Sequence, residues 1–362
     1  MRCRRFEPAL GHHLRLQTRA HDRDPAPKSL KNGSTRNPLG AYIVVMATDS
    51  IQSATRNDPR LRPGARLFSW SVFPIALFGS IALSIQILEG DGTSEVATLA
   101  GLAFGYAVVI LGERVYPFVP DWNRNHDDVA TDAAWAATTI VSGALLRPVY
   151  TVIGMGIAAG IGASLSLQRE TTIWPEQWPL AGQLALALVL VEFFQYWLHR
   201  WEHETDWLWR FHATHHSAER LYWLNAARFH VVDISLLNLG FIVPLVALGA
   251  PPAVFGLWVV AATVHGICQH ANMQIRCGPL NWIFSMAELH RWHHSPLVRE
   301  SNTNYGQNLI LWDIVFGTRF LPSDRNAPRD VGIANLPGFP MTWWAQLRSP
   351  WQWTRVRAPD VD

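Results

Sequence analysis

Charged residues and cysteines are scarce in this sequence. Lys, Arg, Asp and Glu make up 16% of the 362 residues, well below the roughly 25% that is typical of soluble domains. The three cysteines, Cys3, Cys268 and Cys277, form neither a disulfide framework nor a CxxC metal motif. The sequence contains no glycine-rich nucleotide-binding loop, no CxxCH haem-attachment motif and no iron–sulfur cysteine pattern. These absences exclude a disulfide scaffold and give no sign of a fused redox domain.

Apolar and aromatic residues are abundant instead. Hydrophobic residues account for 49% of the chain, with 18 tryptophans and 7 tyrosines of the kind that favour membrane interfaces. The net charge of +2 is small, and no nucleic-acid partner is predicted. Composition therefore predicts an all-α, multi-pass integral membrane protein. Residues 1–65 are polar and arginine-rich, and we predict a disordered basic N-terminal tail there.

Several apolar runs after residue 65 are candidate membrane spans. Five of them predict single helices: Phe68–Leu88, Val96–Leu111, Leu180–Leu198, Val231–Gly249 and Pro252–Gly266. Two further runs, 130–146 and 149–167, are interrupted by Arg147-Pro148, and they predict either two short spans or one span followed by an interfacial helix. We therefore assign 66–179 to N-terminal transmembrane and interfacial helices, 180–322 to a catalytic domain and 323–362 to a C-terminal cytosolic extension.

Histidines cluster where the apolar runs end. Eight of them occur as H-x3-H, H-x2-H-H and H-x2-H-H, namely His199, His203, His212, His215, His216, His290, His293 and His294. Residues three and four apart share a helix face, so each group can direct several imidazoles at one point. Arginines at 200, 210, 220 and 228 place this region on the cytosolic side by the positive-inside rule. We predict a helical bundle with a histidine-rich helical cap at the cytosolic face.

Two more histidines, His265 and His270, lie in or at the end of an apolar run, where a polar side chain is costly and suggests a function. We predict both as metal ligands, although five residues separate them by about 140° around a helix. Ten imidazoles would supply two five-coordinate sites with an open position each. Such a site suits iron, copper, nickel or zinc. A membrane zinc-dependent hydrolase and a non-catalytic metal-binding or transport protein are alternative hypotheses.

The histidine-containing segments carry a family resemblance. EFFQYWLHRWEH, WRFHATHHS, QHANM, ELHRWHHS and NYGQNLILWDIVFGT together resemble the fatty acid hydroxylase / sterol desaturase superfamily, over roughly residues 113–322. The resemblance implies a di-iron enzyme that uses O2, takes electrons from a separate redox protein, and hydroxylates or desaturates a C–H bond of a bilayer lipid such as a sterol or fatty acyl chain. It also implies that the histidines of the three motifs, with ligands near His265 and His270, bind two iron ions.

Three further residues are predicted to support catalysis. Glu192 lies two helical turns before His199, inside the span, and we predict a hydrogen bond from a ligand imidazole to its carboxylate. His230, just before a span, is a candidate ligand or a partner of one. Asn272 follows His270 at the membrane exit. We also expect a lipid channel lined by Phe194, Trp197 and Trp223, and a site-lining loop after the last histidine motif, at Asn302, Asn304 and Tyr305.

Overall fold

Helices account for nearly all regular structure in the computed structural model, which describes residues 63–164 and 173–357. The predicted N-terminal tail, apart from its last three residues, lies outside the described residues. The described parts contain no named β-strand, so the prediction of an all-α fold is confirmed. The α-helices are α1 (Pro63–Glu89), α2 (Ser94–Val115), α3 (Val129–Ser164), α4 (Leu180–Glu204), α5 (Asp206–His216), α6 (Val231–Leu248), α7 (Pro252–His270), α8 (Ala287–His293), α9 (Val298–Ser301), α10 (Leu311–Phe316), α11 (Trp343–Arg348) and α12 (Trp353–Arg357).

Six helices, α1 to α4, α6 and α7, are long and apolar enough to cross a membrane. The five single spans predicted from the sequence coincide with five of them. Small residues let these helices approach closely, as is common in membranes. A Cβ added to Gly105 on α2 would lie 2.4 Å from a methyl carbon of Val264 on α7, so only glycine fits there.

The third span differs from the prediction. Arg147-Pro148 was expected to divide this region, yet α3 runs without interruption through Pro148 for 36 residues. Proline removes one backbone hydrogen bond, whereas ending the helix in an apolar environment would leave several groups without partners. The helix is about 54 Å long, and its first turns lie against the C-terminal segment, where Trp135 donates a 2.7 Å hydrogen bond to Gln346.

One end of each of the six long helices lies at the same face of the bundle. Near the start of α1, the carbonyl of Ser69 accepts a hydrogen bond from the amide of Arg276. At the end of α2, Glu113 accepts the amides of Trp223 and Asn272. The starts of α3 and α6 and the ends of α4 and α7 lie at the same face, because the chain alternates direction from helix to helix. The histidine motifs of α4, α5, α7 and α8 are therefore brought together there.

Candidate metal centre

Short helices and a helix end position the histidines. His199 and His203 are one turn apart in the last turns of α4, and His212 and His216 repeat that spacing on α5. The helix α8 presents His290 and His293, with His294 as its C-cap. All these imidazoles are buried except that of His203, which is half-buried.

Nine histidines form two clusters. Within each cluster one nitrogen per ring lies within 4.8 Å of every other. The first cluster contains His199, His203, His212, His216 and His293. The second contains His215, His270, His290 and His294. The two clusters touch, since the rings of His216 and His294 stack with centroids 4.4 Å apart.

The outer nitrogens of the first cluster are held by oxygen atoms. His199 Nδ1 donates to the carbonyl of Tyr305 (2.6 Å), and His293 Nδ1 donates to the carbonyl of Thr303 (2.8 Å). His212 Nδ1 lies 3.0 Å from Asp233 Oδ2, and His203 Nδ1 lies 3.2 Å from the side-chain oxygen of Asn302. An oxygen acceptor fixes the proton on Nδ1, so each Nε2 keeps its lone pair and faces the centre of the cluster.

This arrangement fits a bound cation. The Nε2 atoms of His199 and His212 are 3.1 Å apart, and neither carries a proton because both rings donate through Nδ1. Two lone pairs at that distance repel each other unless a cation lies between them. Two ligands at right angles around a metal, with bonds of about 2.1 Å, lie about 3.0 Å apart. Among the described residues, the Nε2 atoms of His203, His216 and His293 have no hydrogen-bond partner either.

The second cluster repeats these features. The Nε2 atom of His290 lies 3.0 Å from that of His270 and 3.0 Å from that of His294. The opposite nitrogen of His270 is 2.9 Å from the side-chain oxygen of Asn225. Four imidazole nitrogens thus surround a second position that suits a metal ion.

Burial keeps the cap imidazoles neutral. Burial lowers the pKa of six of them well below the ordinary value, and neighbouring imidazoles lower it further in each. These six are His212, His215, His216, His290, His293 and His294. A neutral imidazole is the form that binds a metal. The clusters are therefore ready to bind cations at neutral pH.

His265 is the one predicted ligand that lies outside both clusters. Its ring packs edge-on against Phe73, with centroids 5.9 Å apart, and against Phe284. Neither of its nitrogens has a hydrogen-bond partner among the described residues. The five-residue spacing on α7 directs His270 into the second cluster and His265 away from it.

The predicted roles of Glu192 and His230 also differ from the structure. Glu192 makes no hydrogen bond to an imidazole of the described residues; its carboxylate accepts the backbone amides of Gln307 (2.5 Å) and Asn308 (2.9 Å). It therefore fixes the loop that contains Tyr305. His230 is the N-cap of α6, where its Nδ1 accepts the amide of Val232, so it is a helix cap rather than a ligand.

Asn272 was predicted to be catalytic, but it joins three backbone segments. Its side chain accepts the amide of Val119 and donates to the carbonyl of Val119 and to Asn123, all at 2.9 Å. Its own amide donates to Glu113. Asn272 thus ties the end of α7 to the turn after α2, two residues after the cluster histidine His270.

Two carboxylates near the site were not predicted. Glu202 Oε2 lies 3.5 Å from His212 Nδ1, beside Asp233. The sequence signal that could have identified Glu202 is its position between His199 and His203. Asp313 accepts the amides of Tyr305 (2.8 Å) and Gly306 (2.7 Å), so it supports the carbonyl that orients His199. The loop predicted to line the site does so, through Asn302 and Tyr305.

An apolar cavity of about 600 Å³ leads from the bundle to the clusters. Four cluster histidines line one end of it: His199, His215, His270 and His290. Trp258 also lines the cavity, and it lies twelve residues before His270 on α7. The cavity therefore extends for about 18 Å along this helix. Trp223 lines this cavity as predicted. Phe194 and Trp197 do not: Phe194 is exposed on the outside of α4, and Trp197 packs against Phe316.

A second cleft, of about 240 Å³ and lined by polar and apolar residues alike, borders the first cluster. It ends at His203 and His216, and Asp206, Asn302 and Arg357 line it. The first cluster thus borders this cleft through His203 and His216 and the apolar cavity through His199, whereas the second cluster borders only the apolar cavity of these two.

Comparison with known proteins agrees with this geometry. Residues 184–318 match the fatty acid hydroxylase family model. The chain is 42% identical over 248 residues to the ornithine lipid hydroxylase OlsE of Rhizobium tropici, covering 67% of this chain and 72% of that protein.

More distant relatives match over shorter stretches. Alkylglycerol monooxygenase of Danio rerio is 32% identical over 53% of this chain and 44% of its own length. Methylsterol monooxygenase 1 of Rattus norvegicus is 27% identical over 36% of this chain and 44% of its own length. The chain therefore spans less than half of these monooxygenases. No solved structure matches it.

Proposed function

The chain belongs to the fatty acid hydroxylase family, whose relatives are named hydroxylases and monooxygenases, and we propose that it is a di-iron enzyme that hydroxylates an acyl lipid of the bilayer. The observation that carries the proposal is the contact between two histidine clusters and one end of an apolar cavity within the helical bundle. A lipid chain in that cavity would place a C–H bond beside the clusters. The named substrate of the Rhizobium relative, an ornithine lipid, supports an acyl lipid.

Iron is the metal we propose for both clusters. The five histidines that include His199 would hold one ion and the four that include His270 the other. Bound iron would supply the activation of O2 that attack on a C–H bond requires. Zinc, which also binds imidazole, has no redox chemistry, so it cannot serve a monooxygenase. The buried, neutral imidazoles and the closely spaced Nε2 atoms of His199 and His212 support a cation at each position.

The protein's own residues orient and protect the site. The carbonyls of Tyr305 and Thr303 and the carboxylate of Asp233 fix the ring orientation of three ligands. The apolar walls of the cavity exclude water from the reacting carbon, which limits side reactions. Trp223 and Phe229 lie on the wall next to the clusters, where they would confine the lipid chain.

A separate redox protein must supply electrons in this proposal. Hydroxylation converts R–H, O2, two electrons and two protons into R–OH and water, and the chain has no redox motif of its own. The cleft that ends at His203 and His216 would offer electrons and protons an approach to the first cluster. We propose that this face is cytosolic, because the segments that follow the spans contain exposed arginines such as Arg299, Arg325 and Arg348.

The test is lipid oxidation by purified protein in liposomes. Iron-loaded protein with a reductant should consume O2 and add one oxygen atom to an acyl lipid, with ¹⁸O₂ as the source of the label by mass spectrometry. His215→Ala should lose turnover and part of the bound iron, while His126→Ala, at an exposed loop position, should keep both. Turnover that needs zinc and no O2 would instead establish the hydrolase hypothesis.

A further inference from the structure

Five residues with amide side chains interrupt the otherwise largely apolar wall of the 600 Å³ cavity inside the bundle. Gln195 on α4 and Asn238 on α6 both line it. Gln195 is 5% exposed, and its Oε1 is fully buried without a hydrogen-bond partner among the described residues. The side chain of Asn238 is half-buried and makes no hydrogen bond to any residue that the structure describes.

Unpartnered amides are costly at this depth. A buried polar group without a partner costs free energy because it has lost its water, and a membrane offers no water to replace it. Most of α6 beyond Ser235 is apolar, so Asn238 stands out within that span. A polar residue inside a span is a candidate functional residue by default. The missing partner of Gln195 and Asn238 is therefore expected to come from the molecule that fills the cavity.

The position of Gln195 defines where that polar group lies. Gln195 precedes His199 by four residues on α4, which places its backbone about 6 Å from that of a metal-binding histidine. A group bonded to Gln195 would thus be close to the metal centre, with the hydrocarbon chain extending past Trp258 toward the far end of the cavity.

We infer that the cavity selects a lipid whose reacting carbon lies within a few bonds of an N–H or O–H group. Gln195 Oε1 accepts that hydrogen, and Asn238 binds an adjacent polar atom of the same linkage. An amide-linked chain and a hydroxylated chain both have this chemistry, whereas a plain ester lacks the donor. The inference rests on the proposed function and deepens it: oxidation occurs near a polar linkage and not at a remote methylene.

The experiment compares three lipids of equal chain length with the iron-loaded enzyme in liposomes: an N-acyl amide, a 3-hydroxyacyl ester and a plain acyl ester. Wild-type enzyme should prefer one or both donor-bearing lipids. Gln195→Met should lower kcat/KM for the preferred lipid by about 10-fold and leave the plain ester nearly unchanged. Gln86→Met, the same change at an exposed position of α1, should alter neither.

Two results would overturn the inference while leaving the proposed function standing. One is equal oxidation of all three lipids by the wild-type enzyme, which needs no variant to observe. The other is an equal loss on all three lipids in Gln195→Met, which would show a purely structural role. Failure of iron-loaded enzyme to oxidise any of the lipids would reject the proposed function itself, and the inference with it.

Discussion

The Nδ1 atom of His212 lies 3.0 Å from Oδ2 of Asp233, and both side chains are fully buried. Asp233 is in the first turn of α6, so a helix that enters the membrane anchors a histidine of the cap. The carboxylate holds the proton on Nδ1 and thereby directs the lone pair of Nε2 toward His199. Glu202, 3.5 Å from the same nitrogen, adds a second carboxylate on the outer side of this ligand.

Asp233→Asn should weaken metal binding at the first cluster. An amide can present its NH2 group to His212 and favour the wrong tautomer, and loss of such a partner typically costs 10–100-fold in metal affinity. Iron content after purification and the affinity for a spectroscopic probe such as Co²⁺ would measure the effect. Asp206→Asn is the matched control, because Asp206 pairs with arginines at the surface. Equal metal affinity in the Asp233 variant and the control would contradict the assigned role.

Glu192→Ala should destabilise the loop that orients His199. The substitution leaves the buried amides of Gln307 and Asn308 without their acceptor, at about 1–3 kcal/mol each. We expect a lower unfolding temperature in detergent and partial loss of iron, since Tyr305 lies in the same loop. Glu204→Ala, at the exposed end of α4, should leave both quantities unchanged. An unchanged unfolding temperature in Glu192→Ala would show that the loop is held by Asp313 alone.

The sequence predicted the spans and most of the cluster because both depend on local spacing. Apolar runs of sufficient length identify spans, and the four-residue spacing of His199 and His203 places them on one helix face whatever surrounds them. Contacts that depend on the packing of distant segments could not be predicted. Glu192 was expected near the imidazole of His199 because the two residues share one face of α4. Instead, each bonds to the loop at residues 305–308: Glu192 accepts its amides, and His199 donates to the carbonyl of Tyr305.

The Pro148 region shows a second limit. A proline inside a helical sequence, as in Arg147-Pro148, usually ends or kinks the helix in water, where freed backbone groups can be solvated. In α3 the surroundings are apolar, and the helix continues. The rule that proline ends a helix, which holds for helices in water, therefore failed in this membrane-spanning helix. The apolar composition of the same segment correctly indicated a span.

His265→Gln and His270→Gln should have different consequences. Both residues are buried on α7, but only His270 belongs to a metal cluster. We expect His270→Gln to lower the iron content toward one ion per chain, whereas His265→Gln should retain the wild-type content. Metal analysis and protein folding, judged by size-exclusion chromatography, would be measured together. Loss of iron in His265→Gln with normal folding would return His265 to the set of ligands that the sequence predicted.

The pH dependence of the metal-free protein should follow from the buried imidazoles of the cap. Burial lowers the pKa of His212, His290 and His294 in the fold, while in the unfolded chain each titrates near 6.5. Below about pH 6.5 the unfolded chain binds protons that the folded protein does not. The free energy of unfolding therefore decreases as the pH is lowered, by about 1.4 kcal/mol per pH unit for each such proton. The unfolding temperature of chelator-treated protein should therefore decrease from pH 7.5 to pH 5, and His294→Gln should reduce that slope. A flat profile over this range would mean that the imidazoles accept protons in the folded protein as readily as in the unfolded chain. The fold would then not hold them in the neutral form that binds a metal ion.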